Sequence, residues 1–283
     1  MTAPRTLLKA WDLRPRKELG QNFLENPATA EKIAAAAGIT KEDVVLEIGA
    51  GLGSLTVPIA QRAGRVVAVE TDPRLVDLLR TEMLTRQLDH VEIVKADILS
   101  LDLSRWAQPG GRKIVVVGNL PYNISSQIII RLIAARAAIR CAVVMLQKEL
   151  ADRLAAPPGT KTYGRITVML AYCAAIRHVM TVGAGQFHPR PKIDSAVIDI
   201  RFTDPLAFPA MDETALFQVV RAAFGQRRKT LKNALGGGLP AVGADAIAAA
   251  LAGAGIDPKR RAETLSVEEF VRLADQLTQA LTD

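Results

Sequence analysis

The stretch Glu47-Ile48-Gly49-Ala50-Gly51-Leu52-Gly53 joins a short apolar run, Val44–Ile48, to a helical pattern that follows it. Glycines at such a junction let the chain turn sharply and let its backbone approach a bound ligand. The spacing is GxGxG, and Ser54 stands where a dinucleotide-binding fingerprint would have its last glycine. The stretch therefore predicts a nucleotide-type pocket at the end of a strand, although a tight turn without a ligand would use the same residues.

Strand-like and helical runs alternate on both sides of this loop. Short Val- and Ile-rich runs separated by helical patterns indicate βαβ units and a mainly parallel sheet covered on both faces. The predicted strands are Val44–Ile48, Val66–Glu70, Val91–Lys95, Ile114–Gly118, Ala142–Leu146, Ile176–Val182 and Ile193–Phe202, and the predicted helices are Leu55–Arg62, Pro73–Gln87 and Ser125–Arg136. The hairpin-like connection between the last two strands suggests an antiparallel edge, so we predict an α/β fold.

We expect two domains. Residues 1–205 hold the sheet and include a basic N-terminal segment, RPRKELGQNFL, and residues 206–283 are expected to form a small helical domain. Residues 203–212 have the composition of a linker. Residues 155–165 are rich in turn-forming types and predict an exposed, mobile loop.

Two helix starts carry clear capping signals. Asn26 is a good N-cap with a proline after it, and Gly38 suits the end of the same helix. Ser266 and Glu269 form a capping-box pattern before a predicted final helix, Val267–Leu281.

The charge favours a polyanionic partner, and it is uneven. The chain has a formal net charge of +7, but the same excess would also serve solubility alone. Residues 206–283 hold nine Lys or Arg and nine Asp or Glu, so the excess lies before them. Within that neutral segment, however, residues 221–232 hold five basic residues and no acid.

Composition argues against a metal centre, a disulfide framework and a membrane span. The two cysteines, Cys141 and Cys173, lie in apolar runs, and the three histidines are scattered. The most apolar region, residues 128–146, is interrupted by arginines. The beginning of the chain mixes charged residues and prolines, unlike a secretory signal. We expect a cytoplasmic protein without a metal.

Two acids follow predicted strands and suit a nucleoside. Glu70 ends the second strand, where a carboxylate can accept both ribose hydroxyls. Together with the glycine loop it admits NAD, FAD or S-adenosylmethionine. Asp97 lies past the third strand and could accept the amino group of a cofactor adenine, with Ile98 beside the ring. A helix N-cap is an equal interpretation of Asp97.

The tetrapeptide Asn119-Leu120-Pro121-Tyr122 follows the fourth strand, where open α/β sheets place their active sites. An adenine amino nitrogen is a poor nucleophile because its lone pair is delocalised into the ring. The Asn119 side-chain oxygen and the Leu120 carbonyl could accept its two hydrogens and turn the lone pair toward a methyl donor. Pro121 fixes the backbone, and Tyr122 offers a face on which a base could stack, worth about 1–3 kcal/mol. A plain turn is the alternative.

Two further segments suit RNA. In Phe187-His188-Pro189-Arg190-Pro191-Lys192-Ile193-Asp194-Ser195, the Phe187 ring could stack on the opposite face of a flipped base, and Arg190 and Lys192 could meet phosphates. A core position is the alternative for Phe187. In the helical domain, the segment of residues 226–233 carries four cations over about two helical turns, which suits an RNA backbone or a solvated helix face. These cations are Arg227, Arg228, Lys229 and Lys232, and Arg221 is also expected to bind RNA.

As a set, QNFL, EIGAGLG, VVAVE, NLPYN, FHPRPKIDS and QRRKTLKNAL resemble the bacterial family of small-subunit ribosomal RNA adenine dimethyltransferases. The resemblance runs from about Arg16 to the end of the chain. It implies a Rossmann-like methyltransferase sheet with a helical C-terminal domain. It also implies dimethylation of two adjacent adenines near the 3′ end of 16S rRNA, late in 30S assembly, with S-adenosylmethionine as methyl donor and S-adenosylhomocysteine as product.

The resemblance also assigns residues. The family's cofactor contacts fall on Asn22, Leu24, Gly49, Glu70, Asp97 and Asn119, and the backbone of Gly51 and the side chain of Ile98 belong to the same predicted site. We expect the chain to act as a monomer.

Other functions remain open at this point. Resistance methyltransferases of 23S rRNA share the asparagine-proline-tyrosine motif, although QRRKTLKNAL fits the small-subunit enzymes better. Mitochondrial transcription factor B proteins share the fold, but the compact chain argues against them. A non-catalytic assembly factor and a DNA adenine methyltransferase are the remaining alternatives.

Overall fold

The structure is a computed structural model, and it describes residues 2–107, 112–226 and 228–282. The chain divides into two compact units. The sheet unit comprises Met1–Ala151 and Ile176–Phe202, and the helical unit comprises Asp152–Ala175 and Thr203–Asp283. This division differs from the contiguous segments 1–205 and 206–283 expected from sequence, because residues 152–175 pack with the C-terminal helices.

The sheet unit is built on strands that the sequence largely predicts. They are β1 (Phe23–Leu24), β2 (Val44–Ile48), β3 (Arg65–Glu70), β4 (Val91–Lys95), β5 (Ile114–Asn119), β6 (Ile139–Gln147), β7 (Ala174–Val182), β8 (Phe187–His188) and β9 (Ser195–Phe202). Within the described ranges, seven strands form one sheet in the order β4-β3-β2-β5-β6-β9-β7. Pairing is parallel from β4 through β6. Strand β9 runs antiparallel to β6, so the predicted antiparallel end of the sheet is confirmed for this strand.

The strand order reverses beside β2. Strands β3 and β4 extend the sheet on one side of β2, whereas β5 and β6 extend it on the other. Helical crossovers leave such a point on opposite faces of the sheet, so a crevice opens between the carboxyl ends of β2 and β5. The glycine loop follows β2 and the Asn-Leu-Pro-Tyr turn follows β5, so both predicted motifs border this crevice.

Helices cover the sheet unit. They are α1 (Pro4–Ala10), α2 (Pro27–Ala36), α3 (Thr56–Ala60), α4 (Pro73–Thr85) and α5 (Ser125–Ala134), while α6 (Lys148–Leu154) passes from this unit into the helical unit. The predicted cap of α2 is confirmed: Asn26 Oδ1 accepts from the Ala28 N–H at 3.0 Å, and Gly38 has φ +58° just past the helix. Helices α1 and α6 were not predicted from the sequence.

Apolar side chains of β2, β5 and β6 form the centre of the sheet unit. Val45, Val115 and Val143 are fully buried, and Ile33 of α2 and Ile59 of α3 join the same cluster. Parallel strands covered on both faces need apolar residues at successive positions, which explains the unbroken Val and Ile runs. This packed base holds the loops at the carboxyl ends of the strands in place.

The helical unit contains α7 (Arg165–Cys173), α8 (Glu213–Ala223), α9 (Leu231–Gly238), α10 (Ala244–Gly253) and α11 (Val267–Thr282). The capping box before α11 is confirmed. The Ser266 N–H donates to Glu269 Oε2 at 2.8 Å, and the Glu269 N–H donates to Ser266 Oγ at 3.2 Å.

The predicted loop over residues 155–165 is irregular up to Gly164, but it is not fully exposed. Tyr163 is buried, and its ring lies 6.2 Å from that of Phe224. The Gly159 N–H donates to the Glu263 carbonyl at 2.7 Å. The expectation of an exposed loop was therefore wrong for this part, because its single aromatic residue belongs to the core of the helical unit.

Candidate active site

A cleft lies at the carboxyl ends of β2, β3 and β5 and opens to solvent. Most of the predicted site residues lie together in its wall. They are Asn22, Leu24, Gly49, Gly51, Glu70, Asp97, Ile98, Asn119, Leu120, Pro121 and Tyr122.

The glycine loop adopts backbone conformations that other residues rarely reach. Gly49 has φ +72°, Gly51 φ +56° and Gly53 φ +82°, all in the left-handed region. A Cβ atom on Gly51 would also lie 3.2 Å from the Phe23 ring. The loop therefore depends on glycine both for its turn and for the close approach of its neighbours.

Glu70 holds the glycine loop in position. Its Oε2 accepts from the Gly51 N–H at 2.9 Å, and its Oε1 accepts from the N–H groups of Thr71 and Asp72, each at 2.9 Å. Burial raises the pKa of Glu70, and the three N–H donors act against this shift by favouring the charged form. The carboxylate lies in the cleft wall and ties two neighbouring strand ends together.

Glu47 is a site residue that the sequence analysis quoted but did not assign. It lines the cleft, is 1% exposed, and its Oε2 has no hydrogen-bond partner among the described residues. Burial raises the pKa of Glu47 to about 8, and the nearby charge of Glu70 adds to the shift. A single acid inside the otherwise apolar strand β2 was the signal that could have identified it.

The Asn119 side chain is oriented by a residue far away in the sequence. Its Nδ2 donates to the Asn22 carbonyl at 2.8 Å. With the amide nitrogen committed, the side-chain oxygen remains available as an acceptor in the cleft. The Leu120 N–H donates to the Met145 carbonyl at 2.9 Å, which continues the pairing of β5 with β6 into the turn.

The hydroxyl of Tyr122 is also committed. It lies 2.6 Å from Ser195 Oγ, a buried hydroxyl at the start of β9. Burial raises the pKa of Tyr122, and the bond to Ser195 favours the charged form. The ring is thereby held at the cleft by the backbone of the turn on one side and by the hydroxyl bond to Ser195 on the other. Ser195 belongs to a motif of the sequence, but no role for it was predicted.

The segment before β1 forms one wall of the cleft. Asn22 Nδ2 donates to the Gly20 carbonyl at 3.0 Å, and Ser54 Oγ donates to the Leu24 carbonyl at 2.9 Å. Gln21 Nε2 donates to Asp72 Oδ2 at 3.1 Å. Backbone and side chains of this segment thus connect the glycine loop to the Asn-Leu-Pro-Tyr turn.

Asp97 is followed by a turn and not by a helix, so the helix N-cap interpretation of this residue was wrong. Its Oδ1 accepts from the Leu99 N–H at 2.9 Å within that turn. Its side chain is nevertheless exposed at the cleft, beside the buried Ile98. The second carboxylate oxygen is the atom that a ligand would use.

Phe187 does not line the cleft. Its side chain is 1% exposed and packs in the apolar cluster that includes Leu24 and Val197. Phe187 also pairs with Leu24 in the short sheet formed by β1 and β8. The ring presents no free face here, so the stacking role predicted for Phe187 lacks support in this conformation, and the ring acts as a core anchor.

The predicted RNA-binding cations are exposed wherever the structure describes them. Arg190 and Lys192 lie in the loop before β9 of the sheet unit, and Arg221, Arg228, Lys229 and Lys232 lie in the helical unit. Arg227 lies outside the described residues.

The expectation that the cations of residues 226–233 lie along one helix was wrong. Residues 226–230 form no helix as far as they are described; they lie between the end of α8 at Ala223 and the start of α9 at Leu231. Gly225 interrupts the helical run there, and glycine is a poor helix residue. Lys232 is on α9 and Arg221 is on α8, so the cations surround a turn.

The remaining sequence-based expectations concern a metal centre and a membrane span. In the described ranges, no three His, Cys, Asp or Glu side chains come together as a metal-binding group. Among the helices of the same ranges, none combines the length and the apolar character needed to cross a membrane.

The strand order, the crevice beside β2 and the Asn-Leu-Pro-Tyr turn after β5 are those of a Rossmann-like methyltransferase. Residues 13–279 match the family described as Ribosomal RNA adenine dimethylase, and the chain belongs to this family.

Relatives of known name agree over almost the whole chain. The chain is 47% identical to Ribosomal RNA small subunit methyltransferase A of Desulforapulum autotrophicum, over 98% of this chain and 97% of that protein. It is 43% identical to the protein of the same name from Magnetococcus marinus, over 96% of this chain and 95% of that protein.

Solved structures agree with the fold. A dimethyladenosine transferase from Plasmodium falciparum has a TM-score of 0.78 at 26% identity, covering 91% of this chain and 98% of that chain. The 23S rRNA methyltransferase ErmE has a TM-score of 0.65 at 30% identity, covering 91% of this chain and 100% of that chain.

Proposed function

We propose that this chain transfers methyl groups from S-adenosylmethionine to the N6 amino groups of two adjacent adenosines near the 3′ end of 16S rRNA, late in 30S assembly. The observation that carries the proposal is the geometry of Asn119, whose amide donates to Asn22 at 2.8 Å while the side chain lines the cleft. Family membership and the small-subunit names of the relatives support the substrate.

The residues that line the cleft suit S-adenosylmethionine in their chemistry. Glu70 would accept the ribose hydroxyls, and Asp97 with Ile98 would hold the adenine. Glu47 places a buried carboxyl group in the cleft wall, and the positive charge of a bound cofactor would favour its ionised form. When bound, the cofactor supplies an electrophilic methyl group on a sulfonium.

The chain's own residues prepare the acceptor nitrogen. The Asn119 side-chain oxygen and the Leu120 carbonyl accept the two N–H hydrogens of the adenine amino group, which turns its lone pair toward the methyl donor. The methylated nitrogen is a strong acid and loses its proton to water, so no general base is required. Catalysis then rests on position and on an electrostatic environment formed in advance. The Tyr122 ring, held through Ser195, supplies the stacking face.

Two successive transfers place opposite demands on this site. After the first methyl group is added, the amino nitrogen has one hydrogen left, so Asn119 and Leu120 cannot both accept a bond. The second transition state therefore loses up to roughly 1 kcal/mol of hydrogen bonding. We expect the second transfer to be slower than the first. Equal single-turnover rates for the two steps would contradict this expectation.

The exposed cations provide the RNA contacts. Arg190 and Lys192 of the sheet unit and the cations around the α8–α9 turn would neutralise phosphates. We further propose that the protein acts as a cytoplasmic monomer without a metal. Sedimentation of the purified chain would test the monomeric state, and activity in the presence of a chelator would test the absence of a metal.

The experiment that tests the function is transfer of labelled methyl from S-adenosylmethionine. The substrates are 30S particles lacking adenine dimethylation, with 23S rRNA and duplex DNA in parallel. We expect dimethyladenosine only in the 30S sample. Label in 23S rRNA would instead support an activity like that named for ErmE, and cofactor binding without any label would support a non-catalytic assembly factor.

A further inference from the structure

The N-terminal segment of the sheet unit is basic and exposed. We call residues 5–17 the basic arm. Its cations, all exposed, are Arg5, Lys9, Arg14, Arg16 and Lys17, and the segment holds one acid, Asp12. At the end of α1 it also exposes a large aromatic side chain, Trp11, which is 38% exposed.

Packing holds the first part of this arm at the carboxyl edge of the sheet. Leu7 and Leu8 of α1 are buried against Leu52 of the glycine loop and Leu75 of α4. Arg5 pairs with Glu25 at 2.9 Å. The arm is therefore attached beside the cofactor cleft, and its polar side faces solvent.

The last part of the arm lies against the Asn-Leu-Pro-Tyr turn. The Gly20 N–H donates to the Lys17 carbonyl at 3.0 Å, which closes a tight turn. A Cβ atom on Gly20 would lie 3.4 Å from the backbone nitrogen of Tyr122, and Asn123 Nδ2 donates to the Glu18 carbonyl at 3.2 Å. Lys17 thus lies next to the turn where the target base is expected.

The arm differs in charge balance from the opposite edge of the sheet. At the amino ends of the strands, cations face acids: Arg112 pairs with Glu42 at 2.8 Å and Arg140 with Asp43 at 3.1 Å. In the described part of the chain, by contrast, no acid lies within salt-bridge distance of Lys9, Arg14 or Lys17. None of these three cations is neutralised by an ion pair with another described residue.

We propose that the basic arm binds the single-stranded RNA that flanks the target adenosine, a role that rests on the proposed function. Lys9, Arg14 and Lys17 contact successive phosphates, and Trp11 stacks on a flanking base. Unneutralised cations combined with an exposed aromatic ring are what single-stranded nucleic acid requires. The arm extends the RNA contacts to the rim of the catalytic cleft.

The first test measures the salt dependence of binding to a short single-stranded oligoribonucleotide that contains two adjacent adenosines. Each phosphate contact to a single strand contributes about 0.7 to the slope of log K against log salt. The triple variant Lys9→Ser, Arg14→Ser, Lys17→Ser should lower this slope by about 2. The matched control is Lys41→Ser, an exposed lysine that precedes β2 at the opposite edge of the sheet, and it should leave the slope unchanged.

The second test concerns Trp11. Trp11→Ala should weaken RNA binding by about 5- to 100-fold, the range expected for loss of one stacked base, whereas Trp11→Phe should retain most of the affinity. Phe208→Ala is the control, because Phe208 is a similarly exposed aromatic residue of the helical unit, at 44%. Thermal unfolding of each variant checks that the fold is intact.

Methyl transfer to deficient 30S particles and cofactor binding are measured alongside with the wild-type chain. An unchanged salt slope in the triple variant, or unchanged affinity in Trp11→Ala, would overturn the role of the arm while methyl transfer still supports the proposed function. A wild-type chain that binds RNA through the arm but transfers no methyl group would overturn the proposed function alone. Absence of any RNA binding by the wild type would overturn the arm's role directly.

Discussion

The side-chain amide of Asn119 donates to the backbone carbonyl of Asn22 at 2.8 Å, although 97 residues separate them. This bond decides which end of the amide is left for a ligand. An amide that donates to a protein carbonyl through its nitrogen keeps its oxygen as an acceptor. Reversal of the amide would place two acceptors against each other at Asn22 and is disfavoured.

Substitution of Asn119 should therefore separate catalysis from binding. Asn119→Ala should lower the methyl-transfer rate by about 100- to 1,000-fold, the range found when one preorganised polar group is removed from an active site. RNA affinity should stay within about twofold, because the cations that hold RNA are elsewhere. The measurement is single-turnover methyl transfer together with RNA titration.

Asn123→Ala is the matched control for this experiment. Asn123 lies in the following turn and also donates to a backbone carbonyl, that of Glu18. Its loss should reduce the methyl-transfer rate much less. A parallel fall of RNA affinity in Asn119→Ala would show that the division of roles is wrong.

Tyr122 and Ser195 should act as a unit. Ser195→Ala and Tyr122→Phe each remove one hydroxyl of the 2.6 Å pair. Each should slow methyl transfer by roughly 2- to 10-fold, since a neutral hydrogen bond contributes about 0.5–1.5 kcal/mol. The double variant should be no slower than either single variant, because both changes remove the same constraint on the ring.

This cycle separates positioning from general stability. A positioning role predicts non-additive loss in the methyl-transfer step with unchanged affinity for S-adenosylmethionine. If the two losses add, Ser195 and Tyr122 act independently, and Ser195 has only a structural role.

Glu47 should make stability depend on pH in the absence of cofactor. Its pKa is raised from 4.5 to about 8. Between these values only the folded chain holds the proton, so this acid's contribution is fully present below about pH 4.5 and is lost as pH rises through about 8. Glu47→Gln remains neutral at every pH. It should be more stable than wild type by on the order of 2–4 kcal/mol at about pH 9.

Denaturant unfolding over this pH range is the measurement. Near about pH 5 the variant and the wild type should differ little. Glu31→Gln, at a partly exposed acid of α2 that pairs with Arg62 at 2.7 Å, serves as control and should leave the pH dependence as it is. Parallel pH profiles of wild type and Glu47→Gln would refute a raised pKa at this position.

Glu70 should contribute to cofactor affinity and to the shape of the glycine loop. Glutamine can accept through one oxygen only, so Glu70→Gln cannot satisfy donors on both sides of the carboxylate. Because a bond to a charged group contributes about 1.5–3 kcal/mol, affinity for S-adenosylmethionine should fall about 10- to 100-fold. Calorimetric titration measures this, with Glu92→Gln on the neighbouring strand as control.

Local patterns in the sequence predicted the elements whose signals are local. Strands β2 and β4 have the predicted bounds. In β2, buried side chains at successive positions fit a covered sheet. The cap of α2 and the capping box of α11 were likewise predicted, since each depends on a few adjacent residues.

Contacts between distant segments could not be predicted in this way. Nothing near Asn119 in the sequence indicates that its partner is the Asn22 carbonyl, and the same holds for Tyr122 with Ser195. Phe187 shows the converse problem, because an aromatic residue in a motif suits either a stacking face or a core anchor. Only its burial in the structure favours the second. Helix α7 was missed because its residues are apolar on more than one side.

The chain enters the helical unit at Asp152, returns to the sheet unit at Ile176, and leaves it again at Thr203. Helix α7 belongs to the inserted segment and packs on α8 and α11, which come from the C-terminal segment. A fragment that ends at residue 205 would therefore carry α7 without the helices that bury it. Exchange of the helical unit between related enzymes therefore requires replacement of two separate segments, residues 152–175 and 203–283. Replacement of the C-terminal segment alone would combine α7 of one enzyme with α8 and α11 of another.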